Sequence, residues 1–402
     1  MASAEVAVAA TDRTGARPYG KVVLAALALH GGLAPVEAVA ETAPEHGVVS
    51  LRYLRYKDQQ DVKVRYPGYN GSEPSKFERV TAKSPSIHVV APVGTTWTIE
   101  ASGVVDDVSG ATPRYYSDVS GATPAPGMED KRTAGDVRIS KHFSRGGVSV
   151  GVSHSSEDDY RSTAVSVEGR IATADNNTTF TLGVGHAEDE INPTNQAVVG
   201  EAKRTNELIV GVTQALSPND LVQVNATYAD GQGYYSDPYK RFDRRPDRRK
   251  QAAALVRWNH FVSQVDATVK AGYRYYQDSF GIAAHTFEAS WVQPVAGWLW
   301  LTPSARYYTQ SAADFYYDPV MDDAIYPRPL VPQAHSTADQ RMSGFGAVTV
   351  GLKAEIRWAD WTTDLKYERY EQRSDWRSFG KGSPNIDNFS ADSIQVGVSR
   401  KF

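Results

Sequence analysis

Glu100, Asp136, Glu168, Asp266, Glu288, Asp364 and Glu368 each occupy alternate positions in segments whose other face is apolar. So do Arg138, Arg170, Arg257, Lys270, Arg274, Arg306, Lys353 and Lys366. Asp106, Glu207 and Lys401 fall in the same phase. Charges in such segments are tolerated only where they meet water or one another. Their chemistry is therefore electrostatic. They either steer and sieve polar solutes or interlock to close an interior, and mixed signs fit both equally.

Covalent chemistry has little to stand on. The sequence contains no Gly-rich phosphate loop, zinc-spaced His pair or nucleophile elbow. His142, His154, His186, His260 and His285 fall singly in expected strands, where an isolated imidazole is a polar interface group more readily than a ligand. No catalytic residue, cofactor or metal site is expected. A hydrolase would need a Ser–His or Asp–His pair converging at a rim, which only the fold can bring together.

Three loop segments carry further possibilities. Asp107-Val108-Ser109-Gly110-Ala111-Thr112-Pro113 recurs as Asp118-Val119-Ser120-Gly121-Ala122-Thr123-Pro124. Such oxygen-rich turns could hold a hard cation or simply cap their own backbone. The segment YKRFDRRPDRRK (239–250) could pair with lipopolysaccharide phosphates or fold over the interior against acidic partners. The Asp-Pro sites in YYSDPY and FYYDP could stack a ligand or pack as aromatic turns.

The elements that must position these residues repeat with a period of two. Phe180, Leu182 and Val184 alternate with Thr179, Thr181, Gly183 and Gly185. Val265, Ala267, Val269, Ala271, Tyr273 and Tyr275 alternate with Asp266, Thr268, Lys270, Gly272 and Arg274. This is strand spacing, sustained over segments longer than the usual ~5–6 residues of a globular strand. Tight Gly, Pro, Asn or Asp turns near 92–94, 145–147, 175–177, 217–220, 295–297 and 359–361 alternate with longer connections. Short turns on one side and long loops on the other predict an all-β, transmembrane antiparallel β-barrel of about 16 strands, within a range of 14–18, with the short turns periplasmic. The second strand, expected at 85–91, is the shortest, and the fourteenth is expected at 340–354.

Composition agrees. The 402 residues include 22 Tyr, 8 Trp and 32 Gly, with no Cys. Mean hydropathy is negative, as for a wet-lumened barrel and not for a bundle of apolar spanning helices. Lys and Arg total 43 against 47 Asp and Glu, which gives nucleic acid no purchase. Without Cys, disulfides and thiolate metal sites are excluded. Arg13, Arg17 and Lys21 precede an apolar run from Val22 to Leu29, and Ala38-Val39-Ala40 suits a signal peptidase. Residues 1–40 are thus expected to be a signal peptide and 41–402 a single barrel in the bacterial outer membrane. Phe402, behind Ile394, Val396 and Val398, resembles the terminal assembly signal read by the barrel-assembly machinery.

The segments SGATPRYYSDVSGATP (109–124), DNNTTFTLGVGHAEDEINP (175–193), GYYSDPYKRFDRRP (233–246), YRYYQDSFGIAAHT (273–286) and RYYTQSAADFYYDP (306–319) resemble those of an uncharacterised family of proteobacterial exported proteins. It is a domain-of-unknown-function family expected to form a barrel. Its members often neighbour genes for a small lipoprotein, a flavin transferase and thioredoxin-like proteins. The resemblance implies location and fold, with periplasmic redox proteins or a lipoprotein as partners beside membrane lipids and lipopolysaccharide. The leading functional expectation is a porin-like channel passing small solutes or a specific substrate. The alternatives are a plugged barrel serving an export or extracytoplasmic redox system, and a barrel enzyme.

Overall fold

The structure, a computed structural model, describes residues 43–61, 76–110, 128–240, 243–318 and 334–402. The expected signal peptide lies outside these residues, as does most of the repeated 107–124 segment. Among the described residues there are sixteen strands. They are β1 (Val48–Asp61), β2 (Lys76–Val93), β3 (Trp97–Gly110), β4 (Met128–Phe143), β5 (Gly146–Ser156), β6 (Tyr160–Ala172), β7 (Thr178–Ile191) and β8 (Glu201–Ser217), followed by β9 (Asp220–Gly233), β10 (Arg248–Val262), β11 (Ala267–Asp278), β12 (Ala283–Ala296), β13 (Leu299–Gln310), β14 (Phe345–Trp358), β15 (Trp361–Arg373) and β16 (Asn388–Lys401). Each pairs antiparallel with its sequence neighbours, and β1 pairs with β16 to close the barrel. Closure leaves no unpaired edge, which a hydrocarbon environment demands.

The closing seam runs from Val48↔Lys401 to Asp61↔Asn388. It continues one pair further. The Gly47 N–H donates to the Phe402 carbonyl at 2.9 Å, and the Phe402 N–H donates to the Gly47 carbonyl at 3.0 Å. The Phe402 ring lies directly over Gly47, where a β-carbon would have no room.

The two faces of each strand are inverted relative to a soluble protein. On β6, Tyr160, Ser162, Ala164, Ser166 and Glu168 are buried while Arg161, Thr163, Val165 and Val167 are exposed. On β7, Phe180, Leu182 and Val184 face outward, and the same face then carries Glu188 and Glu190. On β15 the outward sequence runs Trp361, Leu365, Tyr367 and then Arg369 and Glu371. An apolar band therefore gives way to charge on the long-loop side. Strands of 11–18 residues exceed the roughly 10 that a tilted strand needs to cross a bilayer, so their outer ends stand above it. With an apolar exterior band and a polar interior, this closed barrel is a bacterial outer-membrane protein.

Two strand starts differ most from expectation. β2 is the longest strand, with 18 residues, not a short one. Pro85 disguises it. The ladder to β3 runs through Lys83↔Asp107 and resumes at Ser86↔Val104, so the proline sits where no bond to β3 is made. β14 begins at Phe345, because residues 340–342 form a 3₁₀ turn capped by the Asp339 side chain.

Candidate functional site in the barrel lumen

The inward phase of the strands gathers polar groups from segments far apart in sequence. Glu100, Asp136, Arg138, Glu168, Arg170, Arg257, Lys270, Arg274, Glu288, Arg306, Lys353, Asp364, Lys366 and Glu368 all share it, alternating with outward neighbours such as Val137, Val167, Val256, Phe287 and Leu365. Asp106 and Glu207 lie on this face too. Asp266 does not. It is an exposed residue of the β10–β11 turn, with φ of 52°, a left-handed conformation that Asp tolerates better than most side chains. Lys401 is exposed at the end of β16.

Register decides which charges meet. On one wall Glu100 opposes Arg138 across β3 and β4. Arg138 and Arg170 each approach Glu168 at 3.6 Å. Arg132 Nε donates to Asp106 at 2.7 Å, and Ser102 donates to Asp136. Arg52 reaches Asp364 at 3.9 Å. On β14 and β15, Lys353 lies directly opposite Lys366. This like-charge pair is relieved by Glu355 and Glu368, each at 2.7 Å from its own lysine. Glu207 is buried, and neither carboxylate oxygen has a hydrogen-bond partner among the described residues.

The outer mouth is narrowed by loops folded inward. Phe280, Ile282, Ala313 and Met342 pack with Tyr235, while Ile386 packs with Leu54, Tyr56, Phe345, Tyr370 and Phe389. Beside them lies a network that the sequence did not reveal. Asp339 accepts from Lys240 at 3.1 Å and from Arg245 at 2.8 Å, and Arg341 also donates to it. Arg245 binds Asp243 at 2.8 Å, Arg341 binds Asp237 at 2.8 Å, and the Thr337 hydroxyl donates to Asp243 at 2.6 Å. Burial alone would push the Asp339 carboxyl up, but Arg341, Lys240 and Arg245 hold it well below the usual carboxylate range. Close by, Lys203 is fully buried between Tyr160 and Tyr235, 2.8 Å from Asp189. Of the basic segment 239–250, then, Lys240, Arg245 and Arg249 turn inward onto carboxylates, Arg249 onto Asp278. Arg248 stays exposed and pairs with Asp230.

One histidine meets both a carboxylate and, through it, a serine. His260 meets Asp220 at 2.8 Å, and the Ser217 hydroxyl donates to the other Asp220 oxygen. The carboxylate sits between Ser and His, the reverse of the order in which an imidazole takes the proton of a serine. Among the described residues, no group of three or more His, Asp or Glu is placed to hold a metal.

The family model described as "Protein of unknown function (DUF3570)" matches residues 19–200 and 194–393. No curated protein matches the sequence significantly. Among solved structures, the chain is similar to a bacterial polysaccharide outer membrane secretin at 9% identity, with a TM-score of 0.48, covering 88% of this chain and 98% of that one. It is similar to the siderophore receptor PirA from Pseudomonas aeruginosa at 8% identity and a TM-score of 0.43, covering 88% of this chain and 80% of that one. It is also similar to a Pseudomonas aeruginosa FadL homologue at 10% identity and a TM-score of 0.41, covering 89% of this chain and 90% of that one.

Proposed function

This chain belongs to the DUF3570 family of unknown function, and we propose that it is a channel carrying small polar solutes through a water-filled lumen, without covalent chemistry. One observation carries this reading. Lys270, Arg274 and Arg306 point into the barrel, and no carboxylate lies within 4.0 Å of any of them among the described residues. A dry interior would charge several kcal/mol for each uncompensated ion. Water would remove that cost. The inward-folded loops would set the size limit.

The packed ion network at the outer mouth favours a second reading, in which the loops seal the barrel and it serves as a scaffold. Liposome swelling separates the two. Vesicles containing the folded protein should swell in isotonic solutions of small sugars and not in solutions of large oligosaccharides. Swelling no faster than in protein-free vesicles would reject the channel reading in favour of the sealed barrel.

A further inference from the structure

The lumen charges are not evenly spread around the ring. In a closed ring of sixteen strands, β4 faces β12 and β6 faces β14. Among the described inward residues of β3–β8, carboxylates outnumber cations. The opposite holds on β10–β15. There the carboxylates are already engaged. Glu355 is held by Lys353 at 2.7 Å and Arg357 at 2.6 Å, Glu368 by Lys366 at 2.7 Å, and Glu288 by Arg257 at 3.8 Å.

What remains at adjoining levels is positive charge without an ion-pair partner within 4.0 Å among the described residues. Arg306 shares a row with Glu288, Gly272 and Arg257. Lys270 shares the next, through Ser290 and Ser304 to Gly351. Glu288 lies beside Arg306 in the first row but leans over Gly272 toward Arg257, and Glu368 lies over Gly351 at the end of the second, held by Lys366. The Nε of Arg306 is a buried donor with no acceptor. A basic wall facing an acidic one sets up a field across a low-dielectric passage, which orders and sorts ions.

We propose that the channel prefers anions, and that Lys270, Arg274 and Arg306 form a lumen site for small solutes bearing a carboxylate or phosphate group. This rests on the channel reading. The site is a transit contact, weak enough to release, because the acidic wall opposite opposes residence.

The test is the reversal potential of the protein in a planar bilayer under a KCl gradient. Wild type should reverse toward the chloride equilibrium potential. Lys270→Glu and Arg306→Glu should lower the chloride-to-potassium permeability ratio several-fold. Lys270→Gln and Arg306→Gln, which introduce no buried repulsion, should lower it less but in the same direction. Arg204→Gln, on the exposed outward face, should leave it unchanged. Millimolar inorganic phosphate and succinate, added separately, should each reduce chloride current, and the larger effect identifies the preferred group. Conductance without anion preference, or variants indistinguishable from wild type, would overturn this inference while leaving the channel intact. Absence of any conductance from protein shown to be folded by heat-modifiable gel mobility would overturn both.

Discussion

Removing the Asp339 carboxylate should loosen the outer mouth without opening the barrel. In Asp339→Ala, Lys240, Arg245 and Arg341 would remain buried with only Asp237 and Asp243 to balance them. Breaking a buried ion pair by deleting one partner costs about 3–5 kcal/mol. The bonds affected tie the loops to one another. Arg244 and Ser336 exchange backbone bonds at 2.8 and 2.9 Å, and the Thr337 N–H donates to the Phe315 carbonyl at 3.0 Å. Local opening of the loops, not global unfolding, should therefore absorb the loss. At ~1.4 kcal/mol per tenfold, amide exchange at Arg244, Ser336 and Thr337 should accelerate by about two to three and a half orders of magnitude. Amides within β14, such as Val350, should exchange at the wild-type rate. Acceleration of less than about tenfold at the loop amides would show that the network is solvated, and the reasoning from burial would fail.

The same carboxylate fixes a pH dependence. Its folded-state pKa is depressed, so its contribution is complete above the unfolded value of about 3.9 and is lost as pH falls below that toward the lower folded value. Loop-amide protection should be equal at pH 7 and pH 5 and should decline only below about pH 4; a decline centred near pH 6 would contradict this. Gly346→Val should displace loop 374–387 at a cost of about 1–3 kcal/mol, because a β-carbon there strikes the Trp376 carbonyl that also accepts from the Tyr307 hydroxyl. Retention of the native hydrogen-exchange pattern at residues 374–380 would disprove that contact. The cysteine-free background permits a sidedness test. Ser304→Cys should react with a charged methanethiosulfonate reagent in intact outer membranes, and Val350→Cys, on the lipid face, should not; equal labelling of both would refute the strand phase.

Much of this architecture was legible from alternation alone, and the exceptions have physical causes. The sixteen strands announced themselves because each buries one apolar face in lipid and needs a polar one inside. Asp266 was misplaced because Val265, Asp266 and Ala267 prolong the alternation of β11 into the turn, where the left-handed φ of Asp266 breaks it. β2 extends past Pro85, where a proline would ordinarily end a ladder, because the ladder to β3 skips that position. The ion network had no periodic signature at all. Asp237 and Arg341, or Asp243 and Thr337, lie about a hundred positions apart on separate loops, and only the closed barrel brings those loops together. The Asp-Pro turn in YYSDPY was read as a stacking platform or an aromatic turn, whereas its Asp237 serves the ion network.

Single-channel recording of the folded wild-type protein in a planar bilayer tests the central claim most directly. A water-filled lumen with uncompensated Lys270, Arg274 and Arg306 predicts discrete, reproducible conductance steps that scale with KCl concentration. An electrically silent bilayer, with barrel insertion verified by heat-modifiable mobility of the recovered protein, would contradict it.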